Sequence, residues 1–480
     1  MEDSRLISTQ EISQHNSPED CWLVIDDGVW DCTSFINDHP GGPALILRYA
    51  GRDATKEYSE IHTPSTVRNS LSPECFKGNL DRSTIDSTWL QSPTPSNPAQ
   101  AVPDGEKPPL HTVINLYDFE DISRRTSSPK TYAFTSTAST DCWTRDQNIA
   151  MLRRIWFRPR VLRDVKAVDP ASEILGVRTR MPVFICPTGL TKMMHPGAEK
   201  AMGRAAEGEG IAQIISTNSS FPAEEILNEA PGVPLMFQLY VNKERKKTEE
   251  LLAKLNTLNV RAIFLTVDAA GRGKRESDER LRVDEVNPVT GKKGGGLTKI
   301  AGSAFDQGVT WDDIKWIRSL TKLPLILKGI MTASDAKLAM EHKVDGVMLS
   351  NHGGRNLDFT PPSILILLEM HRQCPEIFDQ MEVYIDGGFR RGVDILKALC
   401  LGAKAVGLGR PFLFALNYGE EGVRKAVDIL REEMESAMKL LGITDLSQVH
   451  PGLVNTSDVD HLVPSTLDHP YAKWRPKARL

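Results

Sequence analysis

No apolar run in the chain approaches the ~18 residues that a membrane span requires. There is no Cys-x-x-Cys pair. The seven cysteines (Cys21, Cys32, Cys75, Cys142, Cys186, Cys374 and Cys400) are odd in number and widely spaced. That pattern argues against a disulfide framework or a zinc site and fits a reducing compartment. A basic excess is also missing: 58 Lys and Arg stand against 63 Asp and Glu, a formal net charge of -5. A nucleic-acid partner is therefore not expected. The opening MEDSRLISTQ is acidic and lacks an apolar h-region, so it reads neither as a secretory signal nor as an arginine-rich transit peptide.

What is present is globular: 40% hydrophobic and 25% charged residues in a chain of 480, long enough for two or three domains. Residues 5–82 form a compact mixed segment with tryptophans and glycine turns. Residues 83–110 include STWLQSPTPSNPAQAVPDGEKPPL, whose Pro, Ser and polar content reads as a linker. Residues 111–452 have a rhythm of their own, and 453–480 read as a tail. Eight apolar runs alternate with helical stretches: VFICP (183–187), AQIIS (212–216), LMFQLY (235–240), AIFLTV (262–267), PLILK (324–328), GVMLS (346–350), EVYID (382–386) and AVGLG (405–409). Continuous apolar strands separated by helices predict a parallel sheet buried on both faces. Eight of them predict a (β/α)8 TIM barrel. The long gap after the fourth run, GRGKRESDERLRVDEVNPVTGKKGGGLTKI, is charged and glycine-rich and reads as a lid.

Active sites of such barrels sit at the C-terminal strand ends. Polar residues stand there in this chain: Thr188 and Gly189, Ser216, Gln238 and Tyr240, Thr266 and Asp268, Lys328, then SNHGGRNLD from Ser350. Asp386, Gly387, Gly388 and Arg390 follow the seventh run, and Gly409 and Arg410 end the eighth. DGGFRRG and GLGRP offer glycine amides and arginines where these barrels bind phosphate. His352 is a candidate base and Asp268 its orienter, since a carboxylate favours the imidazolium form. Lys328 would need an anion, and a reduced flavin is one. Arg355 and Arg275 are suited to a substrate carboxylate.

Through SNHGGRNLD, DGGFRRGVDILKALCLGAKAVGLGRP, QLYVN and TVDA, residues from about 111 to 450 resemble the FMN-dependent α-hydroxy acid dehydrogenase and oxidase family. The resemblance implies His352 as base paired with Asp268, Arg355 and Arg275 on the substrate carboxylate, Tyr240 on the substrate, and Lys328 beside the reduced flavin. It implies FMN contacts from Thr188, Gly189, Ser216, Gln238, Thr266, Lys328, Ser350, Asp386, Gly387, Gly388, Arg390, Gly409 and Arg410. The chain departs from the family pattern at three places. Phe134, in TYAFTSTAST, stands where relatives carry a tyrosine, with Tyr132 two residues earlier. Asn218, in STNSS, replaces an apolar residue facing the substrate. Gly189 stands where relatives can carry alanine and predicts extra room beside Asn218. Together these predict a 2-hydroxy acid larger and more polar than lactate.

A second histidine–glycine motif, DHPGG, has a different use. With HNSPEDCWLVIDDGVWDCTSFINDHPGG and a histidine 23 residues further on, in EIHTPST, it resembles cytochrome b5-like domains, a small α+β fold. The resemblance implies haem b with His39 and His62 as axial ligands. Two imidazoles saturate the iron, so such a haem carries electrons rather than oxygen. The order of haem domain, linker and flavin barrel resembles the flavocytochrome b2 group of this family. That implies two-electron oxidation at FMN, single-electron transfer to haem, a cytochrome c-like external acceptor, and a homotetramer. The rival readings are an oxygen-using oxidase with a vestigial haem domain and a non-catalytic FMN and haem sensor. The final Ala478-Arg479-Leu480 resembles a peroxisomal address, and with no evident mitochondrial presequence the expected location is cytoplasmic or peroxisomal.

Overall fold

The computed structural model describes residues 5–86, 89, 105–281 and 304–465. Most of the linker, most of the segment read as a lid, and Ala478-Arg479-Leu480 lie outside the described residues. The chain divides into two compact units, Met1–Ala101 and Val102–Leu480. Among the described residues no helix is long and apolar enough to cross a membrane.

In the first unit the apolar run DCWLVI forms a strand, Asp20–Ile25, antiparallel to Gly28–Asp31. Asp26 and Asp27 join the two strands with φ of 50° and 64°. A primed two-residue hairpin turn requires that left-handed pair. Phe76–Leu80 and Leu6–Ile7 extend the sheet on one side, and Asn16–Ser17 and Arg52–Asp53 pair with Asp20–Ile25. Leu23, Ile25, Trp30, Ile36 and Ile46 form the core of this unit. The loop before helix Pro43–Arg48 carries His39, and His62 follows helix Thr55–Ile61 directly.

The second unit is a closed parallel barrel of eight strands. They are β1 (Val183–Ile185), β2 (Ala212–Ser216), β3 (Leu235–Leu239), β4 (Ile263–Thr266), β5 (Leu325–Ile330), β6 (Gly346–Leu349), β7 (Glu382–Asp386) and β8 (Ala405–Leu408). Each lies within or against one of the eight apolar runs. The runs are continuous because both faces of every strand are buried. Phe184, Ile214, Met236, Phe264, Ile326, Met348 and Tyr384 cluster inside the barrel. Their neighbours Ile185, Ile215, Leu265, Leu327, Val383 and Ile385 pack outward against helices. A hairpin, Ser172–Ile174 with Val177–Thr179, closes the floor. Its Ile174 joins the inner cluster, and the Leu175 N–H bonds Glu382 at the start of β7, 3.1 Å away. Within the segment read as a tail, Val454–Asn455 pairs with Trp156–Phe157, and Val459 and Val463 are buried. The open end of the barrel is the C-terminal end of its strands.

Candidate functional site

A cavity of about 1320 Å3, counted to its open mouth, occupies that end. Thr188, Gly189, Ser216, Gln238, Tyr240, Thr266, Arg275, Lys328, His352 and Arg355 line it, as do Asp386, Gly387, Gly388, Arg390, Gly409 and Arg410. Two sequence-predicted residues stand just behind the lining. Asp268 lies under His352, and Ser350 accepts from Lys328 Nζ at 3.0 Å and from the His352 N–H at 3.1 Å. Side chains from all eight strand ends thus meet in one space.

The backbone of SNHGGRNLD explains its glycines. His352, Gly353 and Gly354 have φ of 57°, 62° and 74°, a left-handed run that two glycines make possible. A Cβ on Gly354 would fall 2.6 Å from the Arg145 nitrogen. His352 itself carries a left-handed backbone, strain of a kind that collects at functional sites. Two residues of the motif hold the loop and were not singled out from sequence. Asn351 exchanges hydrogen bonds with Asn148 (2.9 and 2.8 Å), and Asp358 accepts from the N–H groups of Thr144 (2.8 Å) and Asp141 (3.0 Å). All three partners are more than 200 residues away, so no local pattern shows them.

His352 Nδ1 lies 3.0 Å from Asp268 Oδ1, which leaves Nε2 for a substrate. The sequence predicts an imidazolium favoured by Asp268. In the structure burial pushes the imidazole down and outweighs the carboxylate, so the ring is neutral at neutral pH. Burial acts upward on Asp268, but His352 and Lys328 together hold its carboxyl below the usual range. Lys328 is buried, yet Asp386, 3.9 Å away, and Asp268 raise it. It keeps its charge on protein carboxylates, without needing the flavin anion that the sequence suggests. Burial and Asp268 raise the Tyr240 phenol, which therefore stays a hydrogen-bond donor.

The arginines are crowded. Burial and neighbouring arginines push Arg275 down to about 10, Arg410 down to about 9, and Arg355 well below its usual range. Guanidinium keeps its proton at neutral pH, so these shifts mark a site short of negative charge. Arg355 donates to the carbonyls of Phe134, Thr135 and Thr137, and Arg410 to those of Thr135, Thr137 and Gly353. Arg390 pairs with Glu120 at 3.0 Å, but among the described residues its buried Nε has no hydrogen-bond partner, and neither has Asp386 Oδ1. The orphaned Arg390 N–H, the positive-φ glycines Gly387 and Gly388, and the surplus cations fit a bound flavin phosphate, while Asp386 Oδ1 is an acceptor that calls for a hydroxyl or N–H donor.

The positions that depart from the family pattern also have defined places. Phe134 lines the cavity, with the Arg355 guanidinium 5.4 Å from its ring centre, while Tyr132 packs on Phe414 instead. Asn218 lines the cavity too. The room expected beside Gly189 is already taken: a Cβ there would meet Asn218 Cβ at 3.0 Å. Arg272 and Phe305 line the wall near Tyr240, whose ring stacks on Phe305 with centroids 4.1 Å apart.

In the first unit the rings of His39 and His62 face each other across 6.2 Å between centroids. Two imidazoles bound to one metal at about 2.0–2.1 Å, with about 1.1 Å from nitrogen to ring centre, would stand about 6.3 Å apart. His39 Nδ1 lies 3.1 Å from the Gly42 carbonyl, which turns Nε2 toward the gap. A Cβ on Gly41 would come 2.7 Å from His39 Cε1, so the ring's position requires glycine there. This crevice fits a haem iron.

Residues 123–456 match the family model described as FMN-dependent dehydrogenase, and residues 8–81 match the cytochrome b5-like heme/steroid binding domain. An L-lactate dehydrogenase (cytochrome) from Wickerhamomyces anomalus is 38% identical over 97% of this chain and 82% of the relative. A 2-hydroxyacid oxidase 2 from Bos taurus is 38% identical over 72% of this chain and 99% of its own length. Among solved structures, a double mutant of flavocytochrome b2 with pyruvate bound aligns at TM-score 0.69 and 38% identity, covering 78% of this chain and 94% of that one.

Proposed function

The chain belongs to the FMN-dependent dehydrogenase family and carries a cytochrome b5-like haem domain, and from that premise we propose that it oxidises an L-2-hydroxy acid to the 2-oxo acid. The observation that carries this reading is the position of His352, half-buried at the cavity wall, backed by Asp268 at 3.0 Å and facing a cation-rich space. FMN, when bound, would take up the two electrons, and the haem would pass them singly to an external acceptor such as a cytochrome c. The boundaries we assign are 5–82 for the haem domain, 83–110 for the linker, 111–452 for the barrel and 453–480 for the tail.

Each protein group then has a task. Arg355 and Arg275 hold the substrate carboxylate and fix C2 against the cofactor. Nε2 of His352 accepts the proton that leaves, from the hydroxyl if C2 gives up hydride and from C2 itself if a carbanion forms. Asp268 stabilises the imidazolium as it develops. Tyr240 donates to the substrate. Lys328, with its charge held by Asp386 and Asp268, places a fixed positive charge where electron density arrives. Arg390 and Arg410, with the amides of Gly387, Gly388 and Gly409, grip the phosphate, and Ser216, Gln238 and Thr266 supply polar contacts to the ring system. His39 and His62 bind the iron.

The test is the absorption spectrum of the purified full-length protein, before and after anaerobic addition of a 2-hydroxy acid. The expected result is loss of the flavin bands followed by the bands of reduced haem. Flavin reduction without haem reduction, with peroxide formed once oxygen is admitted, would favour the oxidase reading. No change in either chromophore would leave the sensor reading.

A further inference from the structure

Among the described residues six basic side chains face the barrel cavity: Lys328, Arg272, Arg275, Arg355, Arg390 and Arg410. The proposed reaction uses five of them, two on the flavin phosphate, two on the carboxylate beside C2, and Lys328 at the flavin. Arg272 is left over. It is half-buried, and its guanidinium carbon lies over the face of Phe305, 5.5 Å from the ring centre. Phe305 stacks on Tyr240. This stack ties Arg272 to the substrate side of the cavity rather than to the phosphate side. Burial pushes its guanidinium down from its usual range, and it in turn opposes the charge on Arg275. A cation in that position destabilises the empty pocket unless the ligand brings an anion. The same cavity presents an amide at Asn218 rather than an apolar wall.

We propose that the substrate carries a second carboxylate at the end of its side chain, bound by Arg272, so that the protein oxidises a 2-hydroxy dicarboxylic acid to the 2-oxo dicarboxylic acid. The inference rests on the 2-hydroxy acid reading above and narrows it. The redox step is unchanged: C2 and its hydroxyl lose two electrons and two protons, and the new carboxylate takes no part. Its role is recognition, through a charge-assisted pair with guanidinium, whose fork matches a carboxylate.

The experiment measures kcat/KM for flavin reduction in the full-length holoenzyme with acids matched in carbon number. L-2-hydroxysuccinate is set against L-2-hydroxybutyrate, and L-2-hydroxyglutarate against L-2-hydroxyvalerate. Wild type, Arg272→Leu and Arg272→Lys are compared, and calorimetry with the corresponding 2-oxo acids gives a binding readout that needs no turnover. At least one diacid should exceed its matched monoacid by about tenfold or more, the size of one charge-assisted bond. Arg272→Leu should move that ratio about ten- to a hundredfold toward the monoacid, in both kcat/KM and binding. Arg272→Lys should keep part of the preference. A wild type that prefers both monoacids overturns the inference. So does an Arg272→Leu variant that slows mono- and diacids by the same factor, because Arg272 would then be a third grip on the carboxylate beside C2. If none of the four acids reduces the flavin, the functional reading falls and this inference falls with it. If the monoacids do and the diacids do not, only this inference falls.

Discussion

Asp268→Asn is the change that separates orientation from electrostatics at the base. The substituted amide would keep the shape of the side chain and could still accept from Nδ1, but it would carry no charge. A hydrogen bond from a cation to a carboxylate contributes about 1.5–3 kcal/mol, against about 1 kcal/mol for a neutral pair. The imidazolium of His352 would then lose roughly 1–2 kcal/mol, about one pKa unit or slightly more. The sign follows from the opposing influences on His352: burial lowers it and Asp268 raises it. Without the carboxylate its pKa drops further, and the neutral base persists to lower pH. The acid limb of kcat/KM for flavin reduction should move down by about one unit. The plateau should fall about five- to thirtyfold, because the same imidazolium is less stable as it forms. Stopped-flow reduction across the pH range reads both, and the flavin spectrum confirms that cofactor is retained. A slower enzyme whose acid limb stays put would make Asp268 purely a positioning group. A limb that moves upward would contradict the electrostatic reasoning outright.

Three further substitutions probe the rest of the chain. His62→Ala removes one imidazole facing His39 across 6.2 Å. It should abolish the normal haem spectrum and cytochrome reduction while flavin reduction by substrate continues, and cytochrome reduction at the parental rate would take haem off the path. Gly41→Ala places a methyl 2.7 Å from His39 Cε1, so haem retention after dialysis should fall sharply; full retention would show that the ring position is not critical. Asn218→Leu should shift a panel of 2-hydroxy acids toward lactate and longer aliphatic acids, and an unaltered ranking would mean that Asn218 does not face the side chain.

Much of the barrel is legible in the chain because burial on both faces writes each strand as an unbroken apolar run, such as AIFLTV or GVMLS. The polar residues at or just beyond the end of each run mark the mouth. The pairing of His39 with His62 is readable for a similar reason, since they stand only 23 residues apart, with two short helices between them, and the spacing is local. What sequence leaves open are quantities set by distant neighbours. The net state of His352 depends on how deeply Asp268 and Lys328 bury with it. The carboxylates that keep Lys328 charged sit on β7 and after β4, 58 and 60 positions away along the chain. In GRGKRESDER, four basic residues alternate with polar and acidic ones, and beside Arg275 nothing in the pattern sets Arg272 apart from Lys274. Only the fold turns Arg272 and Arg275 inward while Lys274 pairs outside with Glu276. The space expected at Gly189 disappears for the same reason, because Asn218, from the next strand end, already fills it.

The most direct test of the central claim is the rate of anaerobic flavin reduction by a 2-hydroxy acid in full-length His352→Gln. Glutamine has similar reach but cannot accept the proton, and the proposed flavin contacts lie on other residues. The flavin and haem spectra should therefore be normal, with reduction slowed by on the order of 10²–10⁴-fold. Reduction within a few-fold of the parent, with flavin fully bound, would contradict the assignment of His352 as the base.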